Sequence, residues 1–116
     1  MDEQQFEALA GRTLERWAEV IEDNAEDFDV DCDGSVLTIE LEDGRIFIVN
    51  RHRPLKELWL SSPISGASHY KWRGPKDGDD DGSDGVWIAT KSDDQLHTLL
   101  SQELSALAGT AITLTT

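Results

Sequence analysis

The stretch Asn50-Arg51-His52-Arg53-Pro54-Leu55-Lys56-Glu57-Leu58-Trp59-Leu60-Ser61-Ser62-Pro63-Ile64-Ser65-Gly66-Ala67-Ser68-His69-Tyr70-Lys71-Trp72 decides the fold. It reads as the end of one strand, a turn at Pro54, a strand from Glu57 to Ser61, a loop marked by Pro63 and Gly66, and a further strand over 69–72. Alternation in the middle strand sends Leu58 and Leu60 to one face and Trp59 with Ser61 to the other. Trp59 is then either a core residue or an aromatic anchor on an open sheet, where tryptophan is enriched among binding hot spots.

Working outward, Asp43-Gly44 joins two apolar runs, Val36 to Glu42 and Arg45 to Arg51. Asp-Gly favours a two-residue type I′ turn. That register pairs Leu41 with Ile46, Ile39 with Ile48 and Glu40 with Phe47, and it predicts a covered face of Leu37, Ile39, Leu41, Ile46 and Ile48. Phe47 and Val49 would join Trp59 on the open face, and Asn50 would need a bulge to reach it. Asp27 to Asp33 alternates strictly, with Phe28, Val30 and Cys32 on one side and four aspartates on the other. This pattern suits an edge strand, because charge there discourages strand addition.

Residues 4–24 form an amphipathic helical pattern, with Phe6, Leu9, Ala10, Thr13, Trp17, Val20 and Ile21 on one stripe. Ser92 and Gln95 read as a capping box opening a second helix, in which Leu96, Leu99, Leu100, Leu104 and Leu107 share a face and Gly109 is the stop. Val86 to Thr90 is the last strand, and the tail holding Ile112 and Leu114 is apolar enough to pack on the helices. The order helix, five or six strands, helix implies an α+β two-layer sandwich: an antiparallel sheet with the N- and C-terminal helices packed on one face.

At 116 residues the chain reads as one domain, and a formal net charge of −14 sets it against nucleic acid and anionic membrane surfaces. Its partners should be cations and basic protein surfaces. The single cysteine allows no internal disulfide, and the acidic start shows no targeting segment, so a cytoplasmic, reducing setting is expected.

Two acidic groupings stand out. Glu19, Glu22, Asp23 and Glu26 on the first helix adjoin Asp27, Asp29, Asp31 and Asp33 in the first strand. Carboxylates suit hard cations, but the strand aspartates fall at about 7 Å intervals, too wide for one ion to collect many of them. A shallow, weak, multivalent surface is expected, open to iron and other divalent cations; a merely solvated acidic face is the alternative. Asp77-Gly78-Asp79-Asp80-Asp81-Gly82 opens like an EF-hand loop, but its twelfth position is Ile88 and strands flank it, so a flexible acidic loop is expected. His52, His69 and His97 show no paired-ligand spacing and read as surface residues.

Val36-Leu37-Thr38-Ile39, Asp43-Gly44, Ile48-Val49-Asn50, Pro54, Leu58-Trp59-Leu60-Ser61-Ser62-Pro63, Ser65-Gly66 and Tyr70-Lys71-Trp72 together resemble the frataxin family, whose bacterial branch is often called CyaY. The resemblance spans nearly the whole chain, and Trp59-Leu60-Ser61-Ser62-Pro63 is its most specific element. It implies the two-layer fold above and weak binding of Fe²⁺ or Fe³⁺ along the acidic ridge; a monomer is expected, with metal-driven oligomers left open. It also implies contact with a cysteine desulfurase and an iron–sulfur scaffold protein, with Asn50, His52, Trp59 and His69 as the partner-binding set. His52 stands where glutamine is common, His69 where arginine is common, and Ala18 and Ala25 interrupt the ridge. A ferroxidase, or an acidic interaction module without metal, are the rival readings.

Overall fold

The structure, a computed structural model, describes residues 1–74 and 85–115. The acidic segment 77–82 therefore lies outside the described residues. Helix α1 spans Glu3–Asn24. It starts where Asp2 and Gln5 exchange bonds: Gln5 N–H donates to Asp2 Oδ1 (2.7 Å) and Asp2 N–H to Gln5 Oε1 (2.9 Å). Its buried stripe runs Phe6, Leu9, Ala10, Thr13, Leu14, Trp17, Ala18 and Ile21, with Val20 only partly covered. Thr13 is buried but satisfied, donating to the Leu9 carbonyl (2.9 Å) and accepting from Trp87 Nε1 (3.4 Å).

Six strands follow: β1 Asp29–Cys32, β2 Val36–Glu40, β3 Ile46–His52, β4 Glu57–Ser62, β5 Gly66–Arg73 and β6 Val86–Ala89. They form one sheet in chain order, every neighbour antiparallel. Helix α2, Leu96–Ala108, completes the covering layer. α1 lies over β1–β3 and α2 against β6. Between the layers sit Leu37, Ile39, Phe47, Val49, Leu58, Leu60, Tyr70 and Trp87. The expected α+β sandwich is present, with six strands.

The β2–β3 hairpin departs from the expected register. Ile39 pairs with Phe47 and Leu37 with Val49. Phe47 and Val49 are buried, whereas Ile46 and Ile48 are 41% and 37% exposed. The cause is the turn. Gly44 N–H donates to the Leu41 carbonyl (3.0 Å) and Leu41 N–H to the Arg45 carbonyl (2.8 Å), so three residues, not two, make the loop. Gly44, at φ +92°, takes the left-handed place of a type I turn with a bulge. Asp43 completes it, accepting from Arg45 N–H at 3.0 Å and from Arg45 Nε at 2.7 Å. One extra residue in the turn exchanges the two faces of β3. Asn50 then reaches the open face by plain alternation, and no bulge is needed there.

The α2 start also differs. Among the described residues no side chain caps it: Ser92 bonds Asp94 instead, and Gln95 is held extended in a bridge to Ile88. Gly109 does end the helix in the left-handed region. Ile112 and Leu114 are buried, pinned by Ser105 and Ser101 of α2, and Trp17 Nε1 donates to the Thr115 carbonyl at 2.6 Å. Across the layers Ser62 Oγ donates to Glu103 Oε1 (2.6 Å) and accepts from Ile64 and Ser65 N–H, fixing the β4–β5 loop to α2.

Candidate functional site

The acidic ridge is built from the C-terminal half of α1 and from β1, an edge strand that pairs with β2 alone among the described residues. Glu19, Glu22, Asp23, Glu26, Asp27, Asp29, Asp31 and Asp33 are all exposed. Alternation points Phe28, Val30 and Cys32 toward the core, which they pack against. Burial raises the Cys32 thiol above its usual value, with neighbouring carboxylates adding to it, so this cysteine is a packing residue. Asp33 is set apart: one of its oxygens accepts from Ser35 N–H (2.9 Å) and Val36 N–H (3.0 Å), closing the turn into β2. Those backbone bonds hold its carboxyl below the usual aspartate range.

The fold also brings in acids that sequence spacing had left out. Asp29 stands opposite Glu40 across the β1–β2 pair. An open cavity of about 540 Å³ lies where α1 ends, and Asp23, Glu26 and Asp27 share it with Glu42 and Asp43 of the β2–β3 turn. Asp43 is held low, chiefly by the Arg45 N–H bond. Only the turn's true geometry could have placed Glu42 and Asp43 here. Among the described residues no three His, Cys, Asp or Glu side chains converge to hold one ion. The donor chemistry fits hard cations, and the geometry fits ions held loosely through water rather than a closed centre.

The second cluster lies on the sheet face away from the helices. Asn50 pairs across the strands with Trp59, and Trp59 with His69. The indole of Trp59 is sandwiched: the His52 ring lies 3.9 Å away at 6° and the His69 ring 4.1 Å away at 5°. The β3–β4 turn orients His52, whose Nδ1 accepts from Leu55 N–H at 3.3 Å. All four residues expected to meet a partner are thus neighbours. His52 and His69 are half-buried in the stack rather than plain surface groups, while His97 sits apart on α2, its imidazole pushed down from its usual value by burial.

Glu57 is the member that sequence reasoning missed. It is 5% exposed yet lies on the open face beneath the aromatic stack. Its Oε1 accepts from Trp59 Nε1 (2.9 Å) and lies 3.7 Å from His69 Nδ1, while Lys71 Nζ is 3.9 Å from Oε2. The signal was the same two-residue alternation that placed Trp59 outward. Ile46 and Ile48 extend this face with exposed apolar surface. No helix in the described residues is long and apolar enough to cross a membrane.

Comparison with known proteins agrees with this fold. The chain is 38% identical over 103 residues to the iron-sulfur cluster assembly protein CyaY of Vibrio cholerae, covering 89% of this chain and 88% of that protein. It is 33% identical over 119 residues to mitochondrial frataxin of Arabidopsis thaliana, spanning 98% of this chain but only 59% of that protein's length. The frataxin of Psychromonas ingrahamii superposes with a TM-score of 0.78 at 29% identity, both chains covered in full. A trimeric frataxin from Saccharomyces cerevisiae, complexed with ferrous iron, gives a TM-score of 0.55 at 25% identity over 83% of this chain and 75% of that one. Residues 1–110 match the frataxin-like domain, and the chain belongs to that family.

Proposed function

We propose that the chain is an accessory protein of iron–sulfur cluster assembly, with iron as a loosely held cargo rather than a resident cofactor. The observation that carries this is the separation of two surfaces in a chain of the frataxin-like family: an open acidic ridge, and an aromatic face set on rigid strands. The ridge offers many exposed carboxylates with no convergent cage, which suits Fe²⁺ or Fe³⁺, and other divalent cations, bound weakly and released readily. The same negative charge would dock the basic surface of a cysteine desulfurase. The open sheet, with Asn50, His52, Trp59 and His69, would meet the iron–sulfur scaffold protein. A cytoplasmic setting and metal-driven oligomers belong to the same proposal; the named CyaY relative and the trimeric ferrous complex support it.

Titration with Fe²⁺ under anaerobic conditions, followed residue by residue in amide spectra, tests the cargo role. Line broadening should begin at residues 19–33 together with 42–43. Broadening that begins at His97 or around Trp59 and leaves the ridge untouched would remove the ridge as the iron surface. An acidic docking module without metal would show no localised response at all.

A further inference from the structure

Residues 51–76 carry six of the chain's ten Lys and Arg residues and one acid, Glu57. The fold gathers three of those cations at one corner. Lys56 of the β3–β4 turn, with Lys71 and Arg73 at the end of β5, line an open cavity of about 460 Å³ whose other walls include Leu55 and Trp72. No carboxylate among the described residues lines it. Lys71 reaches Glu57 at its edge (3.9 Å), and neither Lys56 nor Arg73 makes an ion pair among the described residues. The cavity also includes Met1, next to the start of α1, whereas the acidic cavity lies at that helix's other end. With 22 residues at 1.5 Å rise, the helix between those ends is about 33 Å long.

The backbone supplies a second observation. Lys56 has φ +54°, the left-handed region that glycine or asparagine occupies with less strain, and it is the one non-glycine described residue there. Glycine or asparagine would fill that position with less strain, and the residue that stands there instead is a cation lining the cavity.

We infer that this corner receives an acidic peptide segment of a partner protein, with carboxylates on Lys56, Lys71 and Arg73 and an aliphatic side chain against Leu55 and Trp72. Charge complementarity selects the occupant: in a chain of net charge −14, the described residues lining this concavity include three cations and no carboxylate, and so attract a negative segment. The site goes beyond the assembly reading and does not depend on it, since it uses neither the ridge nor Trp59.

The test uses a fluorescein-labelled peptide, Glu-Leu-Glu-Glu-Leu-Glu, at low ionic strength, read by anisotropy and by amide shifts. The peptide should move residues 55–56 and 71–73. Lys56→Gly and Arg73→Ala should each weaken it about threefold and together about tenfold, as expected for exposed charge pairs. Lys56→Gly should at the same time melt no lower than the parent chain, since it relieves the left-handed strain. Equal affinity in the double variant would overturn the site. Displacement of the peptide by equimolar orthophosphate would make it a small-anion site and overturn the peptide assignment. Concentration-dependent association of the parent chain at low salt, lost in the double variant, would name a second copy's ridge as the occupant and overturn the partner.

Discussion

Trp59 donates its indole N–H to Glu57 Oε1 at 2.9 Å, and that bond fixes an aromatic ring on the exposed side of a sheet. The two residues are i and i+2 on β4, so both face the same way, and the carboxylate is buried beneath the ring it orients. His52 and His69 then close on the two indole faces. The arrangement leaves the ring little rotamer freedom to lose on binding, which is how a preorganised anchor gains affinity.

Glu57→Ala should therefore cost more than its position on an open face suggests. It leaves a part-buried indole N–H without its acceptor, worth about 1–3 kcal/mol. Glu57→Gln keeps an acceptor and should recover most of that. Urea melts of the two variants, with tryptophan emission alongside, give the comparison; equal losses would mean the charge itself, not the bond, is what matters.

The register of β2 and β3 can be read from two neighbouring truncations. Phe47 is 0% exposed and Ile48 is 37% exposed. Phe47→Ala should cost about 3–5 kcal/mol, and Ile48→Ala less than about 1 kcal/mol. The type I′ register would reverse that order, so denaturant midpoints of the pair settle the turn.

Asp29 stands across from Glu40 on the β1–β2 ladder, and like charges there oppose folding. The double variant Asp29→Asn with Asp31→Asn should melt higher than the parent at low salt. Added salt should narrow the gap, because exposed charges are screened beyond about 10 Å at 0.1 M. A lower melting point would show that these aspartates make stabilising bonds.

Asp33 supplies an opposite contribution. Its folded carboxyl lies below the usual aspartate range because Ser35 and Val36 N–H groups bond its charged form. The unfolded chain binds this proton more readily, so the contribution is present above about pH 4 and is lost as pH falls through the folded value. Asp33→Asn should flatten the acid limb of the stability–pH curve relative to the parent; an unchanged limb would remove Asp33 from it.

The layer order, both helices and the outward setting of Trp59 were legible because each rests on periodicity, which local sequence carries directly. The hairpin was not. Asp43-Gly44 serves both a two-residue I′ loop and a three-residue loop with glycine in the left-handed place, and only packing of Phe47 and Val49 under α1 chooses between them. Alternation was correct within β3 and wrong by one residue in phase. The same slip hid Glu42 and Asp43 from the acidic cavity and made Asn50 look misplaced. Gln95 was drawn into a bridge with Ile88, a tertiary pairing that overrides the local capping signature. Glu57 was overlooked because a charged residue on an open face reads as solvated, whereas Trp59 of its own strand and His69 and Lys71 of β5 gather around its carboxylate.

The most direct measurement of the account is the affinity of Trp59→Ala for a reconstituted cysteine desulfurase–scaffold complex, with the Fe²⁺ response of the ridge followed on the same protein. A buried core tryptophan would cost about 3–5 kcal/mol of stability. Trp59, on the open face, should cost clearly less and leave the variant folded. The ridge response should persist and the partner affinity should fall by more than tenfold, since a hot-spot aromatic contributes about 2 kcal/mol or more. Unchanged affinity in a folded variant, or a ridge that stops responding to iron, would contradict the division of labour between the two surfaces.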